Sequence, residues 1–266
     1  MPLLARQSGK LTHKEMSMNT RGVVILTLVV LTSCGLFPAL ASADDTVETG
    51  RLLAVLLDSG RVVIGVNQAM INDIEQGNKG FTVEVFEKQM SEKFKARTGV
   101  DLANIKNEKV PAQAKVLLPM LMEAGKTVTR NYQPIINKQG MGFKNFIPAT
   151  WGTQAAALFT AESGAYMKQT APVKLVRNQK NVPDEFEAAT LAKFADPAYP
   201  RVGEKVISAA ADGGKTVRVV LPLFYGKGCL GCHGEPKNEK DISGYLKDGG
   251  KEGDLGGAIS VKLAVK

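Results

Sequence analysis

Histidine and cysteine are scarce in this 266-residue sequence, which has two of the first and three of the second. His13 and Cys34 fall within the first 43 residues, so the remainder holds only His233, Cys229 and Cys232. With two cysteines so close together, no disulfide framework is available and the fold must rest on its apolar core. Long runs of one charge are missing too. Lys and Arg outnumber Asp and Glu by 34 to 26, but they are dispersed along the chain, which gives no case for a nucleic-acid partner. Low-complexity composition is also absent: with 44% hydrophobic and 23% charged residues, the chain is long enough for one or two domains with a real core.

What is present is concentrated in one pentapeptide. Cys229-Leu230-Gly231-Cys232-His233 places two thiols three residues apart with an imidazole directly after, the C-x-x-C-H pattern of covalent haem attachment. Cys229 and Cys232 are the expected thioether donors to one haem c, and His233 is its expected proximal iron ligand. Zinc is the first alternative, but a closed tetrahedral site needs a fourth ligand, and adjacent Cys232 and His233 rarely turn to one small ion. A redox dithiol is the second. It normally opens a helix after a strand in a βαβ unit, whereas glycine-rich flanks here predict a loop. Bis-histidine ligation within one chain is excluded once His13 is removed.

The N-terminus carries an export pattern. Arg21 precedes an apolar run that begins at Gly22, Pro38 breaks it, and Ala41-Ser42-Ala43 offers a small-residue cleavage site. Residues 1–43 are read as a signal peptide. Lipidation at Cys34, or retention of the apolar stretch as an anchor of nearly bilayer-spanning length, remains open beside cleavage after Ala43. Cleavage would lower the net charge from +8 to +5, because residues 1–43 hold four bases and one acid. The expected location is periplasmic, with a membrane-anchored lipoprotein as the alternative; a membrane is involved only if Cys34 is lipidated or the signal is retained.

A repeat follows. A shift of 65 positions lays Leu52-Leu53 on Leu117-Leu118, Gly60 on Gly125, Gln68 on Gln133, Ile71-Asn72 on Ile136-Asn137, Lys79 on Lys144, Phe81 on Phe146 and Gly99 on Gly164. Internal duplication is the economical account. Each copy has apolar residues at helical spacing, a glycine-containing break, a second helix and a terminal glycine, so each is predicted to be a helical hairpin. After Gly164 the periodicity becomes that of strands. Strands are predicted over residues 173–178, 206–210, 216–223 and 259–265, with a helix starting at Pro183-Asp184-Glu185 and a tight turn at Asp212-Gly213-Gly214. The haem motif then lies between the last two strands of an antiparallel sheet, followed by a Gly- and Lys-rich, mobile-looking loop over 235–253.

Arg177-Asn178, Asn181, Pro183-Asp184, Cys229-Leu230-Gly231-Cys232-His233-Gly234, Asp241-Ile242-Ser243-Gly244-Tyr245, Gly253-Asp254-Leu255 and Gly257-Ala258-Ile259-Ser260-Val261 together resemble a family of exported single-haem c-type domains with a PAS-like fold. Members stand alone or form the periplasmic sensor part of bacterial histidine kinases and chemotaxis receptors. Gln179 departs from the proline that often follows Arg-Asn there. The resemblance implies a PAS-like sheet that carries a covalent haem, and signal reception or redox behaviour as the role. Some members use a cysteine as distal ligand, which residues 44–266 cannot supply.

The predicted class is therefore α+β: a signal peptide over 1–43, a helical repeat over 44–110, and a PAS-like haem c domain over 111–266 that includes the second copy. Met141, in the Gly140-Met141-Gly142 turn, is a distal-ligand candidate. Met120, Met122, Met167 and Tyr132 are others, against the plainer reading of methionines as core filler and a distal site left to water. Arg177 or Lys174 is a candidate partner of a haem propionate, and Tyr225 a candidate haem neighbour. The expected role is redox or small-gas sensing, in which the signal passes to a redox partner protein or a membrane signalling partner. A soluble single-electron carrier is the alternative. Haem enzyme chemistry such as that of a peroxidase is disfavoured, because no second histidine can act as distal acid and base.

Overall fold

The 65-residue repeat becomes two helical hairpins in the computed structural model, which describes residues 43–265. Apart from Ala43, which opens α1, the expected signal peptide lies outside the described residues, Cys34 included. The first copy consists of α1 (Ala43–Val66), the short α2 (Gln68–Asn72) and α3 (Val83–Thr98); the second consists of α4 (Ala112–Ile136) and α5 (Pro148–Ser163). Both ends of α3 map onto both ends of α5 under the same shift. Each of these helices stops at a glycine in the left-handed region, Gly99 at φ 77° and Gly164 at φ 71°.

The two copies grip each other reciprocally. Gln68 Nε2 donates to Phe146 O at 3.2 Å, and its repeat partner Gln133 donates to Phe81 O at 2.9 Å. Lys79 N donates to Asn137 Oδ1 at 3.0 Å, and Lys144 N donates to Asn72 Oδ1 at 3.4 Å. Inside each loop the buried lysine caps carbonyls: Lys79 Nζ donates to Asp73 O and Gln76 O, and Lys144 Nζ to Lys138 O and Met141 O. Exchange of i–j′ for j–i′ contacts is the mark of a two-fold interface, here realised within one chain.

Trp151 sits where the long helices meet. Its indole N–H is shared between Gly125 O and Thr129 Oγ1, both at 3.2 Å, and its ring lies 5.3 Å from that of Phe86, its own repeat partner. The helices approach closely because Gly60 and Gly125 offer no side chain: a Cβ would fall 2.1 Å and 2.8 Å from the indole, respectively.

The sheet has the order β1-β4-β3-β2, all antiparallel, from β1 (Tyr166–Thr170), β2 (Ile207–Ala211), β3 (Thr216–Phe224) and β4 (Leu255–Ala264). One face contributes Met167, Leu221, Ile259, Val261 and Leu263 to the core shared with the helices, and α1 and α5 pack on the sheet. The other face presents Val220 and Ala258 to Leu191 and Phe194 of α6 (Glu185–Phe194). A capping box starts α6: Glu187 N donates to Asp184 Oδ1 at 2.8 Å and Asp184 N to Glu187 Oε2 at 3.0 Å. Buried Glu187 is paired with Lys168 at 2.8 Å and Arg218 at 3.0 Å.

The fold is therefore α+β, with a helical N-terminal half and a four-stranded antiparallel sheet. The hairpin, its Asp212–Gly214 turn, the α6 start and the closing strand form where expected. The strand expected over 173–178 does not form. Val173–Leu175 is a single 3₁₀ turn closed by Leu175 N to Pro172 O at 2.7 Å, and the edge strand is Tyr166–Thr170 instead. Among the described residues no helix is long and apolar enough to cross a membrane.

Candidate haem-attachment site

Between β3 and β4 the chain leaves the sheet and returns, and the C-x-x-C-H segment lies on this excursion. Lys227–Cys229 forms a 3₁₀ turn that runs directly into α7 (Leu230–His233), one helical turn. That turn replaces the loop expected at the motif. Cys229 and Cys232 are free thiols of intermediate exposure. Burial, followed by the charge of Asp241, pushes the Cys232 thiol above the ordinary range.

The excursion is closed on itself at several levels. Gly253 N donates to Tyr225 O and Tyr225 N to Asp254 O, both at 2.8 Å; Gly250 N donates to His233 O at 2.7 Å; Lys247 N donates to Glu239 O at 2.8 Å. Asp241 makes a tight turn within it, its Oδ1 accepting from Ser243 N at 2.8 Å and from Tyr245 N at 3.2 Å. The mobile-looking segment over 235–253 is thus laced by backbone bonds.

Arg177 ties this excursion to the rest of the protein. Its Nη1 donates to Asp241 Oδ2 at 2.6 Å, while Nη2 faces Cys232 O at 2.9 Å, Leu246 O at 3.0 Å and Asp248 Oδ2 at 3.4 Å. Burial alone would raise the pKa of Asp241; the Ser243 hydroxyl and the Arg177 guanidinium outweigh it and hold the carboxyl below its usual value.

His233 is seated on Tyr225. Their rings stack at 4.8 Å and 23°, with Tyr225 OH 3.1 Å from His233 Nδ1. The same Nδ1 bonds Asp248 Oδ2, which Tyr225 OH also approaches at 3.5 Å. Only one tautomer satisfies these neighbours. A bare Nδ1 lone pair would face a carboxylate, so Nδ1 carries the proton and Nε2 keeps the lone pair that a metal needs. Burial lowers the pKa of His233, opposed by its bond to Asp248, and burial with Asp248 nearby raises that of Tyr225. Among the described residues no group of three or more His, Cys, Asp or Glu side chains is arranged to hold a metal ion. Two thiols and one oriented imidazole on two consecutive turns, Lys227–Cys229 and α7, fit a macrocycle that brings its own four nitrogens to iron.

The Tll0287-like family model, described as Tll0287, matches residues 66–264. The chain belongs to the Tll0287-like family. No curated protein matches it. Among solved structures it is similar to the crystal structure of the cyanobacterial heme-protein Tll0287, at 17% identity and a TM-score of 0.38 over 56% of this chain and 88% of that one.

In this Tll0287-like chain the other candidates are dispersed. Met141 lies in the second copy's inter-helix loop, where its carbonyl takes Lys144 Nζ and the neighbouring Gly140 N donates to Ile74 O at 2.8 Å. Met122 and Met167 are buried in the main core, and Met120 and Tyr132 pack against it. Tyr132 OH also accepts from Gln154 Nε2 at 2.9 Å. Lys174 belongs to the 3₁₀ turn before Arg177. Tyr225 touches the site from beneath His233, and the Arg177 donors named above are directed at the excursion's carboxylates and carbonyls.

Asp248, Gly250 and Gly256 were not foreseen from the sequence. A Cβ at Gly250 or Gly256 would fall 2.6 Å or 2.2 Å from the Tyr225 ring, so the two glycines form the slot that holds it. Asp248 stands as a single acid between Lys247 and Gly249, with no local pattern to mark it.

Proposed function

We propose that this chain is an exported, c-type mono-haem protein that works in redox or small-gas sensing through a PAS-like haem domain. The observation that carries the reading is the orientation of His233, whose Nδ1 is held by Asp248 so that Nε2 keeps its lone pair for iron, on the same helical turn as the free thiol of Cys232 and directly after the 3₁₀ turn that ends at the free thiol of Cys229. Membership of a family named for a heme-protein supports the choice of group. Cys229 and Cys232 serve as thioether donors and His233 as proximal ligand. Tyr225 holds the imidazole plane, and Arg177 fixes the excursion through Asp241. When bound, the haem supplies a one-electron couple and an iron able to take a small gas. A redox protein or a membrane signalling partner receives the signal in the periplasm. No catalytic residue is assigned, and residues 44–266 hold no second histidine to act as the distal acid and base of a peroxidase.

Single-electron carriage is the second reading. Ile242, Tyr245 and Leu246 stand at least half exposed on the haem-motif excursion, which favours contact with a passing redox protein. The test is expression with a haem c maturation system. A haem band that survives denaturing electrophoresis, and disappears in the Cys229→Ser/Cys232→Ser double variant, supports covalent attachment; its absence from the wild type refutes it. A ferrous spectrum that changes under carbon monoxide favours sensing, and an unchanged one favours the carrier.

A further inference from the structure

We propose that Asp248 is a positioning residue for the proximal ligand: its carboxylate holds His233 by Nδ1 and lowers the reduction potential of the bound haem. This rests on the haem reading above, but the observation behind it concerns the protein alone. A carboxylate that takes the Nδ1 proton in a hydrogen bond fixes the ring's rotation and makes Nε2 more basic. A more basic, partly anionic donor stabilises ferric over ferrous iron, since the extra negative charge is worth more to the ion of higher charge.

The surroundings of Asp248 determine how far this effect reaches. Oδ2 is the atom that meets Nδ1, and Arg177 Nη2 lies 3.4 Å from the same oxygen. The guanidinium withdraws part of the charge that the carboxylate would lend. Most of the Arg177 contact is with other groups, however: Nη1 lies 2.6 Å from Asp241 Oδ2, and Nη2 closer to two carbonyls than to Asp248. Tyr225 OH, 3.5 Å from Oδ2, adds a weak third contact. Asp248 therefore retains net negative charge towards the imidazole. The side chain is also largely shielded, with 16% relative exposure, so water does not quench the effect.

Asp248→Asn tests this directly, because the amide oxygen still accepts from Nδ1–H while the charge is gone. In the haem-loaded protein the equilibrium constant for reduction should rise at least tenfold, a shift of about 59 mV for one electron, and the ferrous iron–histidine stretch should fall in frequency. Asp248→Glu, which keeps the charge, should stay within threefold of the wild type. If covalent haem is absent from the wild type, the haem reading fails and this inference with it. If haem is present in both proteins and the Asn variant differs by less than threefold, only this inference fails. Should Asp248→Asn not retain haem, the wild-type iron–histidine stretch decides: it must exceed that of a c-type haem whose histidine donates to a backbone carbonyl, and an equal or lower value overturns the proposal.

Discussion

Gly256 lies under the ring of Tyr225, so close that a Cβ on it would sit 2.2 Å from Cε1. The haem-motif excursion and the first residues of β4 are joined through this contact, since the same phenol ring stacks with His233 at 4.8 Å. Gly256→Ala must displace the ring or the strand. Overpacking of this kind costs about 1–3 kcal/mol, to be read from denaturant midpoints, and covalent haem yield should fall with it. Gly231→Ala, where a Cβ meets open space, should leave both close to wild type.

Arg177→Gln leaves the buried Asp241 carboxylate without its cation. Separation of a buried pair is costly, so a loss of about 3 kcal/mol is expected, and proteolysis should begin within residues 235–253, the segment that Arg177 fastens. Asp241→Asn in the same background should restore part of the loss, because the uncompensated charge is then removed.

Asp184 has its pKa below the ordinary value. Burial would raise it, but the Glu187 backbone N–H and the Arg218 guanidinium bind the charged form more strongly. A depressed carboxyl pKa means that the unfolded chain takes up the proton first. The stabilisation is present in full above the unfolded pKa and is lost as pH falls towards the folded one, a window that opens below about pH 4. Asp184→Ala should cost about 1 kcal/mol at neutral pH through loss of the cap. Thermal melts from pH 6 to pH 2 should show a shallower acid limb in the variant than in the wild type.

Lys79 and Lys144 occupy matching carbonyl caps 65 residues apart. Lys79→Met and Lys144→Met each strip two inward carbonyls of their donor, with an expected cost of about 1–3 kcal/mol apiece. The two costs should agree to within about 1 kcal/mol because the surroundings are equivalent. Chemical denaturation of both variants and the double variant checks this. A large cost at one site and none at the other would show that the equivalence stops at the backbone.

Much of this arrangement is legible in the amino-acid order, for identifiable reasons. The hairpins are visible because duplication preserved residues with strict steric roles: Gly60 and Gly125 at the Trp151 contact, and Gly99 and Gly164 in the left-handed region. The closing strand is visible because Ile259, Val261 and Leu263 face a core while Lys262 and Ala264 do not. Residues 173–178 mislead because alternating aliphatic and basic side chains also suit a 3₁₀ turn at the surface, where Val173 is 71% exposed. The real edge strand, Tyr166–Thr170, is hidden by polarity: buried Gln169 is satisfied by Ala149 O and Thr153 Oγ1 rather than by an apolar core. At the site the C-x-x-C-H donors are explicit in the sequence. Their supports are not, because Asp248 reaches His233 across fifteen residues and Arg177 reaches Cys232 across fifty-five. Local composition cannot encode such distances.

The reciprocal hydrogen bonds between the two hairpins say something about ancestry. A surface that recognises its own copy would, in a single-hairpin ancestor, have brought two separate molecules together. Fusion in tandem turns that encounter into a folding step at an effective concentration on the order of millimolar, so the pair no longer depends on protein abundance. It also releases the copies from identical duty: α5 leads directly into β1 and the sheet, while its counterpart α3 leads into the linker that precedes α4. Symmetric in their grip, the two halves became free to diverge in what they serve.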